Sequence, residues 1–106
     1  MSQPPHLTAE QRAAALDKAA DARVRRSALK DRIKRGEMSL ADVLTQAETD
    51  EVVARTHVLA VIESLPGIGK VKAARIMERV GISMSRRVQG LGAKQRVALQ
   101  DELAGR

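Results

Sequence analysis

Leu65-Pro66-Gly67-Ile68-Gly69-Lys70 is the key to this chain, because it sets two glycines one residue apart between the end of one helical pattern and the start of another. Gly67 and Gly69 permit positive φ and close backbone approach. The helix that follows presents its unpaired first-turn N–H groups and the positive end of its dipole, an arrangement suited to an anion. Lys70, Lys72 and Arg75 come just after the turn and add mobile positive charge. The spacing is not that of a Walker loop, which reads G-x-x-x-x-G-K-[ST], and the dinucleotide fingerprint requires strands that are not foreseen here. The stretch therefore predicts a grip on a nucleic-acid backbone and argues against nucleotide hydrolysis. The same glycines would also serve a tight interhelical connection with no ligand at all.

To either side of this turn, the spacing predicts an all-α chain. Thr8-Ala9-Glu10-Gln11 has the form of a capping box, and from Ala9 to about Arg35 no Gly or Pro interrupts strong helix formers until Gly36. The first half of this element offers little for burial beyond alanines and Leu16, so it is expected to project as an arm. Docking is expected along Val24, Ala28, Leu29 and Ile33. Ser39 caps a short helix in which Leu40, Val43, Leu44 and Ala47 fall at i, i+3, i+4, i+7. A third helix is expected to open at Thr49-Asp50-Glu51-Val52 and to run through Val58, Val61, Ile62 and Leu65 to the stop at Pro66. The fourth runs from Lys70 to Val80 with Val71, Ala74, Met77 and Val80 inward, and Gly81 ends it. A single turn is expected near Ser83–Val88, and a last helix from Ala93 to about Leu103. No alternating β pattern is present.

A second Gly-x-Gly, Gly90-Leu91-Gly92, again precedes a basic helix start, with Lys94 and Arg96 following. In both turns the central residue, Ile68 or Leu91, is expected to plug into the core while the glycines turn their amides to solvent. Arg86 and Arg87 lie between the turns, and adjacent helical residues point about 100° apart, so the two can reach different phosphates. A solubilising surface pair is the alternative. Arg23, Arg26, Lys30 and Lys34 share one face of the first helix and form a stripe that can follow a backbone, or simply a solvated face.

Composition narrows the possibilities. The 106 residues suffice for one domain with an appendage, divided here as an arm over 1–35 and a compact unit over 36–106. The 43% hydrophobic content includes no Phe, Tyr, Trp or Cys, so the core must be aliphatic, and disulfides and thiolate metal sites are excluded. Net charge is +6, and it is polarised: residues 1–35 carry nine basic against four acidic residues, 36–64 one against six, and 65–106 nine against three. Basic ends flanking an acidic middle orient a molecule on a polyanion. Without aromatic rings there is no stacking platform for single strands, which favours a duplex partner met through its backbone. Met1-Ser2-Gln3-Pro4-Pro5-His6 lacks an apolar run and no membrane span appears, so a soluble, cytoplasmic protein is expected. No catalytic constellation, metal site or cofactor motif is present: His6 and His57 lack ligand spacing, and Glu48, Asp50 and Glu51 sit where acids favour a helix start. An enzyme is not expected.

Glu63-Ser64-Leu65-Pro66-Gly67-Ile68-Gly69-Lys70-Val71-Lys72-Ala73, Ile76-Met77-Glu78-Arg79, Gly81-Ile82-Ser83 and Ser85-Arg86-Arg87-Val88-Gln89-Gly90-Leu91-Gly92, together with Leu7–Leu16, resemble the actinobacterial integration host factor family. The resemblance spans nearly the whole chain. It implies a small helical domain of helix-two-turn-helix type, like that of a small-subunit ribosomal protein, with a long basic N-terminal helix. It further implies a nucleoid-associated protein that binds duplex DNA with little sequence preference, affects its topology and assists phage integration; a monomer is expected, with duplex DNA and recombinase complexes at phage attachment sites as partners. By carry-over, Gly67, Gly69 and Lys70 match a phosphate-contacting hairpin, and Arg86, Arg87, Gly90 and Gly92 a second contact strip. Gln89 stands in that strip where the family is usually basic, and His57 where lysine is common. Two rival readings keep the residues but change the partner: structured RNA, or a protein helix paired with the arm through Leu16, Val24 and Ile33.

Overall fold

A computed structural model describes residues 7–105; Met1–His6, His6 included, and Arg106 lie outside the described residues. Helix α1 (Ala9–Lys34) begins with the foreseen capping box: the Gln11 amide donates to Thr8 Oγ1 at 3.0 Å and the Thr8 amide donates to Gln11 Oε1 at 2.8 Å. It closes at Gly36, where the Gly36 and Glu37 amides donate to the carbonyls of Ile33 and Arg32. At about 1.5 Å per residue its 26 residues account for most of the 53 Å long dimension of the molecule. Residues 7–21 are all exposed. Leu29 and Ile33 alone on α1 are fully buried.

Leu16 and Val24 are each 68% exposed, which corrects the expectation that Val24 docks and that Leu16, Val24 and Ile33 form one side. At 100° per residue Leu16 falls about 100° from Ile33 and Val24 about 180° from it, so the three cannot share a face.

Helix α2 (Leu40–Gln46) is capped by Ser39 and Asp42, each bonding the other's amide, and buries Leu40, Val43 and Leu44. The long third helix foreseen from the sequence is instead two. Helix α3 (Glu51–Arg55) and helix α4 (Val58–Ser64) are separated by Thr56 and His57 in extended conformation. No Gly or Pro causes this break. Thr56, 3% exposed, donates its Oγ1 hydrogen to the Val52 carbonyl at 2.7 Å, while the Val88 amide donates to Thr56 O and the Val58 amide to Arg86 O, both at 2.9 Å. A tertiary backbone pairing thus outweighs local helix continuation, helped by the weak helix propensity of the β-branched residues around it.

Helix α5 (Gly69–Val80) follows the first glycine turn, a 3-10 turn at Val88–Gly90 precedes the second, and α6 (Ala93–Ala104) ends the chain. On α5 the core face is Ala73, Ile76 and Met77, with Ala74 and Val80 half-buried; Val71 is 67% exposed, not inward. Val71 lies about 200° from Ala73, and Ala73 and Ile76 are the residues that meet the neighbouring elements. Helix α4 packs on α1 and α5, α5 on α6, and α3 on the 3-10 turn. Ile33, Val43, Val58, Val61, Ile62, Met77 and Leu99 are completely buried at the centre. An aliphatic side chain so enclosed stabilises by roughly 1.5–3 kcal/mol relative to exposure. Among the described residues there is no strand beyond one isolated His57–Arg87 bridge, and no helix is long and apolar enough to cross a membrane.

Charge reinforces two of these contacts. Arg79 of α5 pairs with Glu102 of α6. Arg25 of α1 reaches Asp50 at 3.1 Å, where Asp50 already accepts from the Val52 and Val53 amides and from Gln46. Burial pushes the Asp50 carboxyl up, but the bonds from Gln46, Val53 and Val52 and the charge of Arg25 outweigh it, so its pKa lies below 3.8.

Ile33→Ala is expected to cost about 2–5 kcal/mol in urea unfolding, whereas Leu16→Ala should stay within roughly 0.5 kcal/mol of the parent. A depressed carboxylate pKa contributes stability that is present above the unfolded value and disappears as pH falls through the folded one. Asp50→Ala should therefore be less stable than the parent at pH 6, by about 0.5–2 kcal/mol for a lost cap. Thermal melts across a pH series should show that gap narrowing once pH drops below 3.8.

Candidate nucleic-acid interface

Chain geometry builds the first turn before any ligand is considered. Leu65 and Ile68 are anchored: the Leu65 amide donates to Ile62 O, the Ile68 amide to Leu65 O, and both side chains pack against the core. Gly67 and Gly69 on either side take φ of +78° and +70°, the left-handed region that glycine enters without steric cost. Pro66, Gly67, Gly69 and Lys70 remain exposed. Helix α5 has no side-chain cap, in contrast to α1, α2 and α3. Among the described residues the amides of Gly67, Gly69, Lys70 and Val71 have no acceptor. Four unpartnered donors on exposed residues thus lie at the positive end of a 12-residue helix, an arrangement suited to an anion.

The turn separates two unlike surfaces. On one side Gly69 and Lys70 line a cleft of about 470 Å³ with Ser27, Lys30, Asp31 and Lys34 of α1 and Glu63 and Ser64 of α4. Two of the four arm residues, Lys30 and Lys34, are thereby brought beside the first turn, while Arg23 stays exposed and Arg26 is half-buried in another cleft with Glu51 and Arg55 of α3. On the other side lies an apolar groove that includes Leu40, Pro66, Gly67 and Leu103. Lys72 and Arg75 are exposed but fan around α5, since Lys72 lies about 200° from Lys70 and Arg75 another 60° away.

The second turn is built differently. The Gly90 amide donates to Arg87 O at 2.9 Å, the Leu91 amide to Val88 O at 3.2 Å, and the Gly92 amide to Gln95 Oε1 at 3.1 Å. This corrects the expectation that its glycines turn free amides to solvent. The 3-10 turn and the Gln95 side chain consume them, and the open donors at this end of α6 are those of Ala93, Lys94 and Gln95. Leu91 does plug the core, 6% exposed, and Gln89, Gly92 and Lys94 are exposed.

Arg86 and Arg87 are held in place. Arg87 Nη1 donates to the Arg55 carbonyl at 2.6 Å, at the C-terminal end of α3, where a cation is favoured. Arg86 Nη1 donates to Gly90 O at 2.9 Å. Each guanidinium keeps further N–H donors after these bonds. Thr56 was not singled out in the sequence, and His57 and Val58 were read only as helical positions, yet the backbone of these three sets the position of the arginine pair, and only the β-branched run around them hinted at a break. His57 itself is exposed. Among the described residues no group of three or more His, Asp or Glu side chains converges on a metal position.

Known proteins share this architecture. Residues 33–103 match the family described as S13-like H2TH domain. Three proteins named integration host factor align over 98 residues and 92% of the chain: 56% identical in Mycolicibacterium smegmatis, 53% in Streptomyces coelicolor and 54% in Mycobacterium tuberculosis, covering 92–93% of each relative. The chain belongs to the actinobacterial integration host factor family. Within the family, a solved structure of sIHF bound to an 8-bp palindromic DNA is similar with a TM-score of 0.77 and 49% identity, over 81% of this chain and 97% of that one.

Gly69→Ala tests the turn. With open space around the position, the substitution meets only backbone strain. It should lower stability by about 1–2 kcal/mol in urea unfolding.

Proposed function

We propose that this protein binds duplex DNA through the sugar-phosphate backbone, with little sequence preference, and acts as a nucleoid-associated integration host factor that alters DNA shape. The observation that carries the reading is the set of unpartnered, exposed amides at the first turn beside Lys70, Lys30 and Lys34. Fixed amides and mobile ammonium groups suit phosphate and carry no base information. Arg86 and Arg87 form a second contact strip, and the DNA-bound sIHF structure supports a duplex as the partner. The arm of residues 1–35 adds its basic face to a body made by 36–106, and one chain acts as a monomer. Service in recombinase complexes at phage attachment sites follows from the same reading. Binding rather than catalysis is its activity.

With about 4–6 phosphate contacts, log Kobs against log salt should have a slope of roughly −3.6 to −5.4 in fluorescence titrations with duplex DNA. A flat response would overturn the reading. Arg86→Ala with Arg87→Ala should make the slope shallower by about 1.8, since two phosphates then go unneutralised. Duplex RNA of equal length should compete poorly; equal competition would redirect the proposal to structured RNA.

A further inference from the structure

Gly90 is a glycine for reasons that neither its backbone nor its amide explains. Positive φ occurs at Gly36, Gly67, Gly69 and Gly81, not at Gly90, and the Gly90 N–H is consumed by Arg87 O. The Arg86 side chain supplies the reason. Its Nη1 donates to Gly90's own carbonyl at 2.9 Å, so the stem lies across the glycine Cα. A Cβ at position 90 would stand 3.1 Å from Arg86 Cδ and 3.7 Å from Nη1. At 3.1 Å one partner must move. Gly90 sits in a 3-10 turn closed by the Gly90–Arg87 and Leu91–Val88 bonds, and the Arg86 carbonyl is fixed by the Val58 amide. The mobile partner is therefore the Arg86 side chain.

We propose that Gly90 is a positioning residue for DNA binding: by lacking a side chain it seats the Arg86 guanidinium on its carbonyl, with the remaining N–H donors held toward the DNA backbone. The inference rests on the reading of Arg86 as a phosphate contact. A guanidinium has five N–H donors in a rigid fork, so spending one on an internal carbonyl leaves four in a fixed orientation. Fixing the long side chain before binding reduces the entropy lost on association. The role differs from that of Gly67 and Gly69, whose left-handed backbone is itself the requirement.

The test uses four full-length chains: the parent, Gly90→Ala, Arg86→Ala and the double variant. Each is melted, and each is titrated against a fluorescein-labelled duplex of random sequence at several salt concentrations. Because φ at position 90 is ordinary, Gly90→Ala should melt at or slightly above the parent, as alanine restricts the unfolded chain. It should nonetheless raise Kd roughly three- to tenfold and make the salt slope shallower by up to about 0.9, one phosphate contact. The double variant should bind no more weakly than Arg86→Ala alone. Three results would overturn the seat: parent-like binding by Gly90→Ala, the same loss from Gly90→Ala in the Arg86→Ala background, or a melting temperature well below the parent, which would make the glycine a requirement of the fold. Parent-like binding by Arg86→Ala would instead remove Arg86 from the interface and refute the underlying reading.

Discussion

The hydrogen bonds from the Val88 amide to Thr56 O and from the Val58 amide to Arg86 O govern where much of this molecule must lie. They interrupt what would otherwise be a continuous helix from Glu51 to Ser64 and turn its second half, α4, into position against α1 and α5. The same bonds fix the backbone of Arg86 and Arg87, whose guanidinium groups then find carbonyls at Gly90 and Arg55. Each bond is worth only about 0.5–1.5 kcal/mol net, but an unmade one would leave a polar group stranded beside the fully buried Val58 and Val88. The break and the arginine strip are thus one structural decision.

The two glycine turns show how similar sequences reach different ends. At the first, core anchors at Leu65 and Ile68 flank glycines in left-handed conformation, and the helix start is left without a cap. An unpaired helix start is tolerable only where water or an anion can reach it, which is the case for these exposed residues. At the second, Gln95 and the 3-10 turn close the donors internally, so positive charge there comes from side chains. The proposed interface therefore combines fixed dipoles at one turn with seated cations at the other.

The charge pattern of the chain also acquires a physical layout. Acids of the middle segment are put to structural use: Asp42 and Asp50 cap helices, and hydrogen bonds hold both carboxyls below 3.8, for Asp42 those from the backbone and side chain of Ser39, with Arg32 assisting. Glu63 and Asp31 line the charged cleft with three lysines, tempering its field without reversing its sign. Much of the basic excess of the two ends stays exposed and is available to a polyanion.

Residue order alone was enough for the helix starts with capping boxes, the helix stop at Gly36, the aliphatic core positions of α2, and the left-handed glycine turn at Gly67–Gly69, because each of these depends on interactions within about four residues along the chain. It could not place Val71 or Val24, since an apolar residue's spacing does not say which of two possible faces meets the body. Nor could it show the break at Thr56-His57, the closed amides of the second turn or the seat of Arg86 on Gly90. The break arose only in three dimensions, where residues 56–58 met 86–88 and backbone groups some 30 residues apart satisfied one another at the expense of local helix; the other two features, although bonded within four residues, sit on the backbone at 86–88 that this pairing holds.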